Sequence, residues 1–188
     1  INNNERFKIL EISDPEELNN QLNSSHSIPD FKSSPFIAAG SNKNVIRTAM
    51  KGLSKENKHT SEIINLPLGS PYGRVEIDTE NCTLCLSCVS ACPAGALQDN
   101  PEMPQLLFRE DACIQCGICV KTCPEKVISL LPQFNLSDSV LSNELINEDE
   151  PFPCISCGKI FGTKKSIESI KKRLSTHSMF FSDERQDL

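Results

Sequence analysis

The chain has no tryptophan and only one tyrosine, so aromatic side chains add little to any core. Only 38% of its 188 residues are hydrophobic, and small domains of this kind often depend on disulfides or metals. No apolar run approaches the roughly 18 residues that a membrane span requires, so no membrane span is predicted. The net charge of −6 argues against nucleic acid as a partner, because a nucleic-acid surface needs a basic excess.

A secretion signal is also missing from the first residues. Residues 1–12 lack the positively charged start and the apolar run of a signal peptide. We therefore expect a cytoplasmic protein with reduced thiols, in which cysteines bind metal rather than form disulfides. Because the chain begins at Ile1 and not at methionine, we expect a processed protein or a piece of a longer one.

Eight of the ten cysteines form two copies of one spacing, C-x2-C-x2-C-x3-C-P. Each 4Fe-4S cluster takes four thiolates, and in this spacing the fourth cysteine ligates the other cluster of a pair. The motifs therefore predict two 4Fe-4S clusters. The first is expected to be held by Cys82, Cys85, Cys88 and Cys123. The second is expected to be held by Cys113, Cys116, Cys119 and Cys92.

The two motifs lie inside a longer repeat, in which Cys113 follows Cys82 by 31 positions. Each unit is predicted to contain a short strand, a ligand loop, a helical turn and a second short strand. Alternation of Val75 and Ile77 with polar residues indicates the first strand. The last strand is the apolar run 127–131, which we expect to end at Pro132. Two such units are expected to be related by a pseudo-twofold axis.

Residues 72–132 resemble a bacterial-type two-cluster ferredoxin, in which both cysteine motifs are complete. The resemblance implies an α+β, ferredoxin-like dicluster fold, low-potential 4Fe-4S clusters, and redox proteins as electron donor and acceptor. Leu86 takes the position that Gly117 fills in the second motif, so the first loop is expected to pack differently. The order of motifs along the chain is similar, more loosely, to the C-terminal part of larger dicluster proteins associated with formate dehydrogenases.

Composition divides the chain into regions 1–71, 72–132, 133–150 and 151–188. The first is predicted to be a helical N-terminal flank, as in the tail of an upstream domain. One helix is expected to begin near Ser13 or Asp14, with Pro15 in its first turn. Another is expected from Asn42 to about Lys55, with an apolar face packed on an adjoining domain. Residues 133–150 are polar and acidic, which is typical of a linker.

A different motif, Cys154-x2-Cys157-Gly158, follows the linker and resembles one knuckle of a zinc ribbon or rubredoxin site. Structural zinc needs four ligands, so this pair is an incomplete zinc knuckle in the sequence given. Three interpretations stay open: a second knuckle beyond Leu188, a dithiol without metal, or a site completed by His177. The other histidines, His26 and His59, have polar neighbours and are expected to be surface residues.

The C-terminal segment continues as a basic amphipathic helix over residues 163–174. Six Lys or Arg residues stand against one Glu between Lys159 and Leu174. Thr163 is expected to cap this helix, and Ile167, Ile170 and Leu174 share one face. We expect the helix to pack on the knuckle, with its basic residues in solvent.

The chain shows no nucleotide-binding glycine loop and no nucleophile with a base, so it is not predicted to be an enzyme by itself. The predicted function is electron transfer through two 4Fe-4S clusters, as a ferredoxin or as a relay domain of a larger redox complex. The alternative is a structural or regulatory iron–sulfur protein whose C-terminal segment binds a partner.

Overall fold

A computed structural model describes residues 12–24, 35–56 and 61–175, which fall into two compact units, Ile1–Ile37 and Ala38–Leu188. In the first unit, helix α1 spans Pro15–Asn23. The Asp14 carboxylate accepts a hydrogen bond from the Glu16 N–H at 3.0 Å, and Pro15 begins the first turn. Cap and proline together fix the start of the helix, as the sequence predicted. His26, His59 and His177 lie outside the described residues.

The second unit mixes helices and strands, which confirms the α+β prediction. Its helices are α2 (Asn42–Glu56), α3 (Ser87–Ala91), α4 (Ile118–Thr122) and α5 (Lys164–Leu174). Its strands are β1 (Ile63–Asn65), β2 (Gly73–Ile77), β3 (Leu97–Asp99), β4 (Gln105–Phe108), β5 (Ile128–Asn135), β6 (Glu144–Glu148), β7 (Pro151–Pro153) and β8 (Ile160–Thr163). Short 3-10 helices span Glu110–Ala112 and Asp138–Leu141.

The repeat is visible in the way the strands pair. The first unit of the repeat is β2–α3–β3 and the second is β4–α4–β5. Strand β2 pairs antiparallel with β5, and β3 pairs antiparallel with β4. Each pair therefore takes one strand from each unit of the repeat, so that the two units share their hydrogen bonding and both ligand loops are held by the same framework.

Strand β5 does not end at Pro132, which corrects the expectation from the sequence. It pairs with β2 up to Pro132, opposite Gly73, and then with β1, where Phe134 lies opposite Ile64. A proline removes only its own N–H from a strand, and its carbonyl here accepts from the Leu66 N–H at 3.1 Å. The proline is tolerated at the point where β5 changes partner.

Residues 133–150, expected to form a linker, are instead structured. They contain the end of β5, the 3-10 helix Asp138–Leu141 around buried Val140, and strand β6, which pairs with β4. Composition misleads here because β6 is an edge strand whose terminal residues, Glu144 and Glu148, are exposed. An edge strand with one solvated side needs few apolar residues.

Within the described residues, helix α2 is held by charged contacts, and packing of its apolar face on an adjoining domain stays a prediction. Ile46 and Leu53 remain 44% and 50% exposed. Lys43, Arg47 and Lys51 are spaced by four residues and share one helix face. Arg47 is buried and donates to the Asp111 carboxylate at 3.2 Å, and Lys51 pairs with Asp138. Polar contacts to neighbouring backbone and carboxylates therefore hold the helix.

The core is built from residues of β2, β3, β4 and β5 together with the ligand loops. Its most buried large side chains are Phe108, Leu106 and Val75. Four cysteines belong to the same cluster of buried residues: Cys82, Cys88, Cys113 and Cys119. No helix within residues 12–24, 35–56 and 61–175 is long and apolar enough to cross a membrane.

The C-terminal segment joins the core beside the first ligand loop. Strands β7 and β8 form a hairpin, and Thr163 caps α5 by accepting from the Ser166 N–H at 3.2 Å. The same hydroxyl donates to the Thr83 carbonyl at 3.2 Å. Arg173 donates to both oxygens of Glu125 at 2.7 Å. The predicted helix is confirmed. It contacts both halves of the repeat, through its cap Thr163 at Thr83 in the first half and through Arg173 at Glu125 in the second.

Candidate metal centres

The two ligand loops share one backbone conformation. Leu84 and Gln115 have φ of 52° and 55°, and the residues before α3 and α4, Leu86 and Gly117, have φ of 58° and 73°. These left-handed residues turn the chain sharply between cysteines, so that successive thiols face the same side. Leu86 was expected to make the first loop pack differently. Its backbone instead matches that of Gly117, although this region is unfavourable for leucine.

The first loop opens onto a pocket that four cysteines line. Three belong to the first motif and the fourth to the second: Cys82, Cys85, Cys88 and Cys123. The rest of the wall is mostly apolar and includes Leu84, Leu106 and Ile128. This set of four is the one that the spacing predicts for the first cluster.

The second loop opens onto a pocket lined by the reciprocal set of cysteines. They are Cys113, Cys116, Cys119 and Cys92. Val75, Phe108 and Leu130 supply apolar wall. Each cavity thus has three thiols from one motif and one from the other, and in each the middle cysteine, Cys85 or Cys116, is exposed.

Burial makes these cavities costly places for unneutralised thiolates. It raises the pKa of Cys88 to about 12, with further contributions from the neighbouring Cys82 and Cys85. Burial also raises the pKa of Cys113 and of Cys119. Metal ions stabilise bound thiolates, so iron binding would release these protons and relieve the cost. The donor set therefore suits a cationic iron–sulfur core.

Hydrogen-bond donors already point at several of the sulfurs. The Ala96 N–H donates to Cys92 Sγ at 3.3 Å, and Gln115 Nε2 donates to Cys113 Sγ at 3.4 Å. In the first loop, the Ser87 hydroxyl lies 3.4 Å from Cys85 Sγ. Such donors favour negatively charged sulfur, which is the form present in a cluster ligand. The arrangement fits 4Fe-4S clusters in both cavities.

The structure adds two residues that the sequence did not single out, Gln115 and Lys43. Lys43 reaches from α2 to the second loop and donates to the carbonyls of Asp111 and Cys113 at 2.9 and 2.6 Å. Burial lowers its pKa, while Asp111 and Cys113 oppose that shift. Nothing in the sequence pattern marks Lys43, because its partners are about 70 residues away. Gln115 could have been noticed as the polar residue opposite Leu84 in the aligned motifs.

Cys154 and Cys157 lie apart from both cavities, in the turn between β7 and β8. The N–H groups of Cys157 and Ser156 donate to the Cys154 sulfur and lower its pKa. The Cys154 N–H donates to the Lys159 carbonyl at 2.8 Å, which closes the turn. Among the described residues, no group of three or more His, Cys, Asp or Glu side chains is placed to hold a single metal ion. His177, the third ligand considered, is not among those residues.

Comparison with known proteins agrees with the site. Residues 81–128 match the family model described as a 4Fe-4S dicluster domain. The ferredoxin-type protein NapH of Haemophilus influenzae is 31% identical over 84 residues, covering 38% of this chain and 29% of the relative. The polyferredoxin protein MvhB of Methanothermobacter marburgensis is 31% identical over 74 residues, covering 32% and 18%.

A shorter relative is matched over more of its length. The pyruvate synthase subunit PorD of Methanothermobacter marburgensis is 33% identical over 54 residues, covering 29% of this chain and 60% of the relative. This chain thus spans less than two thirds of each of these three relatives. The family match spans both cysteine motifs, and the chain contains a 4Fe-4S ferredoxin-type domain.

Proposed function

We propose that this chain is an electron-transfer module of a larger redox complex, in which two 4Fe-4S clusters carry one electron each. The observation that supports this most directly is the pair of cavities, each with three thiols from one motif and the fourth from the other. The names of the relatives, which include a ferredoxin-type protein, a polyferredoxin and a pyruvate synthase subunit, support the same function.

The ligand sets that we propose follow the cavity linings. The first cluster takes Cys82, Cys85, Cys88 and Cys123. The second takes Cys113, Cys116, Cys119 and Cys92. Bound clusters supply one-electron redox chemistry, with potentials set by the protein surroundings. The crossed fourth ligands and the strand pairing β2–β5 and β3–β4 favour the ferredoxin-like dicluster fold expected from the sequence.

The protein's own contribution is to hold the clusters, to shield them from water and to leave one edge of each accessible to a redox partner. Apolar side chains such as Leu106 and Phe108, each 1% exposed, keep water from the inner walls. Donors such as the Ala96 N–H stabilise negative sulfur. The exposed ligands Cys85 and Cys116 give each cavity one edge that a redox partner can approach. We propose that electrons enter at one of these edges and leave at the other.

No residue is assigned a catalytic step, and the module is proposed to serve an oxidoreductase as its electron carrier. The narrower expectations remain predictions: association with formate dehydrogenase, a cytoplasmic location, and zinc at Cys154 and Cys157. For zinc, the two described thiols offer half of a tetrahedral set, and a zinc analysis of the purified chain decides the point.

The deciding experiment is anaerobic reconstitution of the chain, with iron, sulfide and zinc analysis and EPR during a reductive titration. We expect about eight irons per chain, as two four-iron clusters require, and two couples that reduce and reoxidise reversibly. A structural or regulatory iron–sulfur protein would resist reduction or lose iron on cycling. Four or fewer irons after full reconstitution would contradict the proposal.

A further inference from the structure

Equivalent positions in the two ligand loops carry different side chains beside the first cysteine of each motif. In the second loop, Gln115 Nε2 donates to Cys113 Sγ at 3.4 Å and to the Arg74 carbonyl at 3.0 Å. Rotating this amide by 180° would place its oxygen against the Arg74 carbonyl, and two acceptors would then face each other. The amide N–H groups therefore face the Arg74 carbonyl and the sulfur. In the first loop, the same position is occupied by Leu84, which is buried and offers no donor.

A half-buried ammonium group also contacts the second ligand loop directly. Lys43 donates to the carbonyls of Asp111 and of Cys113 itself, and it is partly buried. The matching lysine at the first loop is Lys165, which donates at 2.9 Å to the Thr79 carbonyl, three residues before Cys82, in an exposed contact. Water screens an exposed charge far more than a half-buried one, so Lys43 has the larger effect on its cavity.

Charged groups of both signs lie beside the first loop and add no net charge there. An open pocket next to Cys82 is lined by three basic and three acidic residues: Lys165, Lys172, Arg173, Glu80, Glu125 and Glu168. Glu125 lines that cavity and adds negative charge, which Arg173 offsets through an ion pair. The Ser87 hydroxyl faces Cys85, but both groups are solvent-accessible, where water supplies equivalent hydrogen bonds. The second cavity has the buried donor and the half-buried cation. The acidic neighbours of Lys43 have other partners, since Asp111 pairs with Arg47 and Glu110 accepts from Gln133 and Asn135.

We propose that Gln115 and Lys43 raise the reduction potential of the second cluster above that of the first, so that an electron delivered to this domain rests in the second cavity. This inference depends on the proposed electron-transfer function. Reduction adds one negative charge to a cluster, and an N–H donor and an ammonium group stabilise that charge. When an electron passes between the cavities, the first cluster is oxidised by one electron and the second is reduced by one.

The test is an EPR-monitored redox titration of the whole chain, reconstituted anaerobically, with dithionite as the reductant. Gln115→Leu copies the side chain of the first loop, and Lys43→Met removes the charge while keeping an apolar stem. Each is expected to lower the higher of the two potentials by roughly a tenfold change in the reduction equilibrium, about 59 mV for one electron. The lower potential should stay where it is.

Two matched variants control for general disturbance of the domain. Leu84→Gln places a donor in the first loop and is expected to raise the lower potential, which narrows the gap. Lys165→Met removes the exposed lysine and is expected to move either potential by much less than Lys43→Met does. Iron content near eight per chain shows that a variant has kept both clusters. If Gln115→Leu loses a cluster, the potentials of Lys43→Met alone test the proposed order.

The outcomes separate this inference from the function on which it depends. Two reversible couples whose higher potential is unmoved by both substitutions would overturn the ordering and leave the proposed function intact. The ordering would also be overturned, with the proposed function intact, if the substitutions moved the lower potential instead or if the two wild-type potentials were equal. A wild-type chain with fewer than two reducible clusters would overturn the proposed function and the ordering together.

Discussion

The two ligand loops of this domain have the same backbone and different surroundings. Both turn through left-handed residues at equivalent positions, and both place three thiols of their own motif around a cavity. The first loop is contacted by the C-terminal helix α5 through exposed side chains, and the second by α2 through half-buried ones. Cysteine spacing therefore produces two similar cavities, while the flanking helices make them electrostatically unequal.

The largest effect should come from breaking the exchange of fourth ligands between the motifs. Cys92→Ser removes a thiol that lies in the first motif but lines the second cavity. We expect iron to fall from about eight to about four per chain, with loss of the higher-potential EPR signal. Cys123→Ser should remove the lower-potential signal instead, and Cys154→Ser should leave the iron content unchanged. Loss of the other signal in either variant would show that the fourth ligands are not exchanged.

The next effect concerns the apolar walls, which come from the same strand. Phe108 lines the second cavity and Leu106 the first, and each is 1% exposed. Truncating buried residues of this size to alanine costs about 3–5 kcal/mol for Phe and about 2–5 kcal/mol for Leu. In guanidinium titrations followed by EPR, Phe108→Ala should lose the second-cavity signal first and Leu106→Ala the first-cavity signal. The opposite order would mean that wall packing does not protect the nearer cluster.

A smaller loss of stability should distinguish the docking of α2 from that of α5. The Arg47–Asp111 pair has side chains only 11% and 21% exposed, whereas Arg173 in the Arg173–Glu125 pair is 63% exposed. Arg47→Met should destabilise the chain by about 1.5–3 kcal/mol, as for a buried charged hydrogen bond. Arg173→Met should cost less than about 1 kcal/mol, as for a surface pair. Denaturant midpoints give the comparison, and equal losses would contradict it.

The smallest expected change in stability concerns the left-handed residue three positions after the fourth cysteine of each motif. These are Gly95 and Lys126, with φ of 60° and 58°. An L side chain costs roughly 1 kcal/mol there, so Gly95→Ala should destabilise and Lys126→Gly should stabilise by about that amount. A methyl group on Gly95 would meet no described atom within 4 Å, so steric clash does not confuse the result. Thermal unfolding of both variants measures the two shifts, and shifts of the same sign would refute the assignment to backbone strain.

Local signals in the sequence were reliable where one short segment decides the structure. The caps at Asp14 and Thr163 start α1 and α5 as expected, because a capping side chain acts within one helical turn. Alternation of Val75 and Ile77 indicated β2, and the apolar run 127–131 indicated the start of β5. Strand β6 and the extension of β5 past Pro132 were missed, because both depend on a partner strand distant in sequence.

The docking of α2 also depends on partners that are distant in sequence. Its apolar residues suggested a packed face, yet Ile46 stays 44% exposed, while Arg47 is buried. Hydrophobic periodicity assumes that burial is apolar, and it misses a helix held by carbonyls and a carboxylate. A basic stripe at positions i, i+4 and i+8 is visible in the sequence, but its partners are not.

What the sequence determined alone is the chemistry: eight thiols at cluster spacing, in two repeated units, with one thiol in each motif set apart from the other three. Short spacings constrain short-range backbone geometry, so the motif itself carries this information. Only the tertiary structure decided that Lys43 reaches the carbonyl of Cys113, across 70 positions, and that Gln115 donates to a sulfur while Leu84, at the matching position, forms part of an apolar wall. Those contacts depend on how distant segments pack, and a spacing pattern does not encode that.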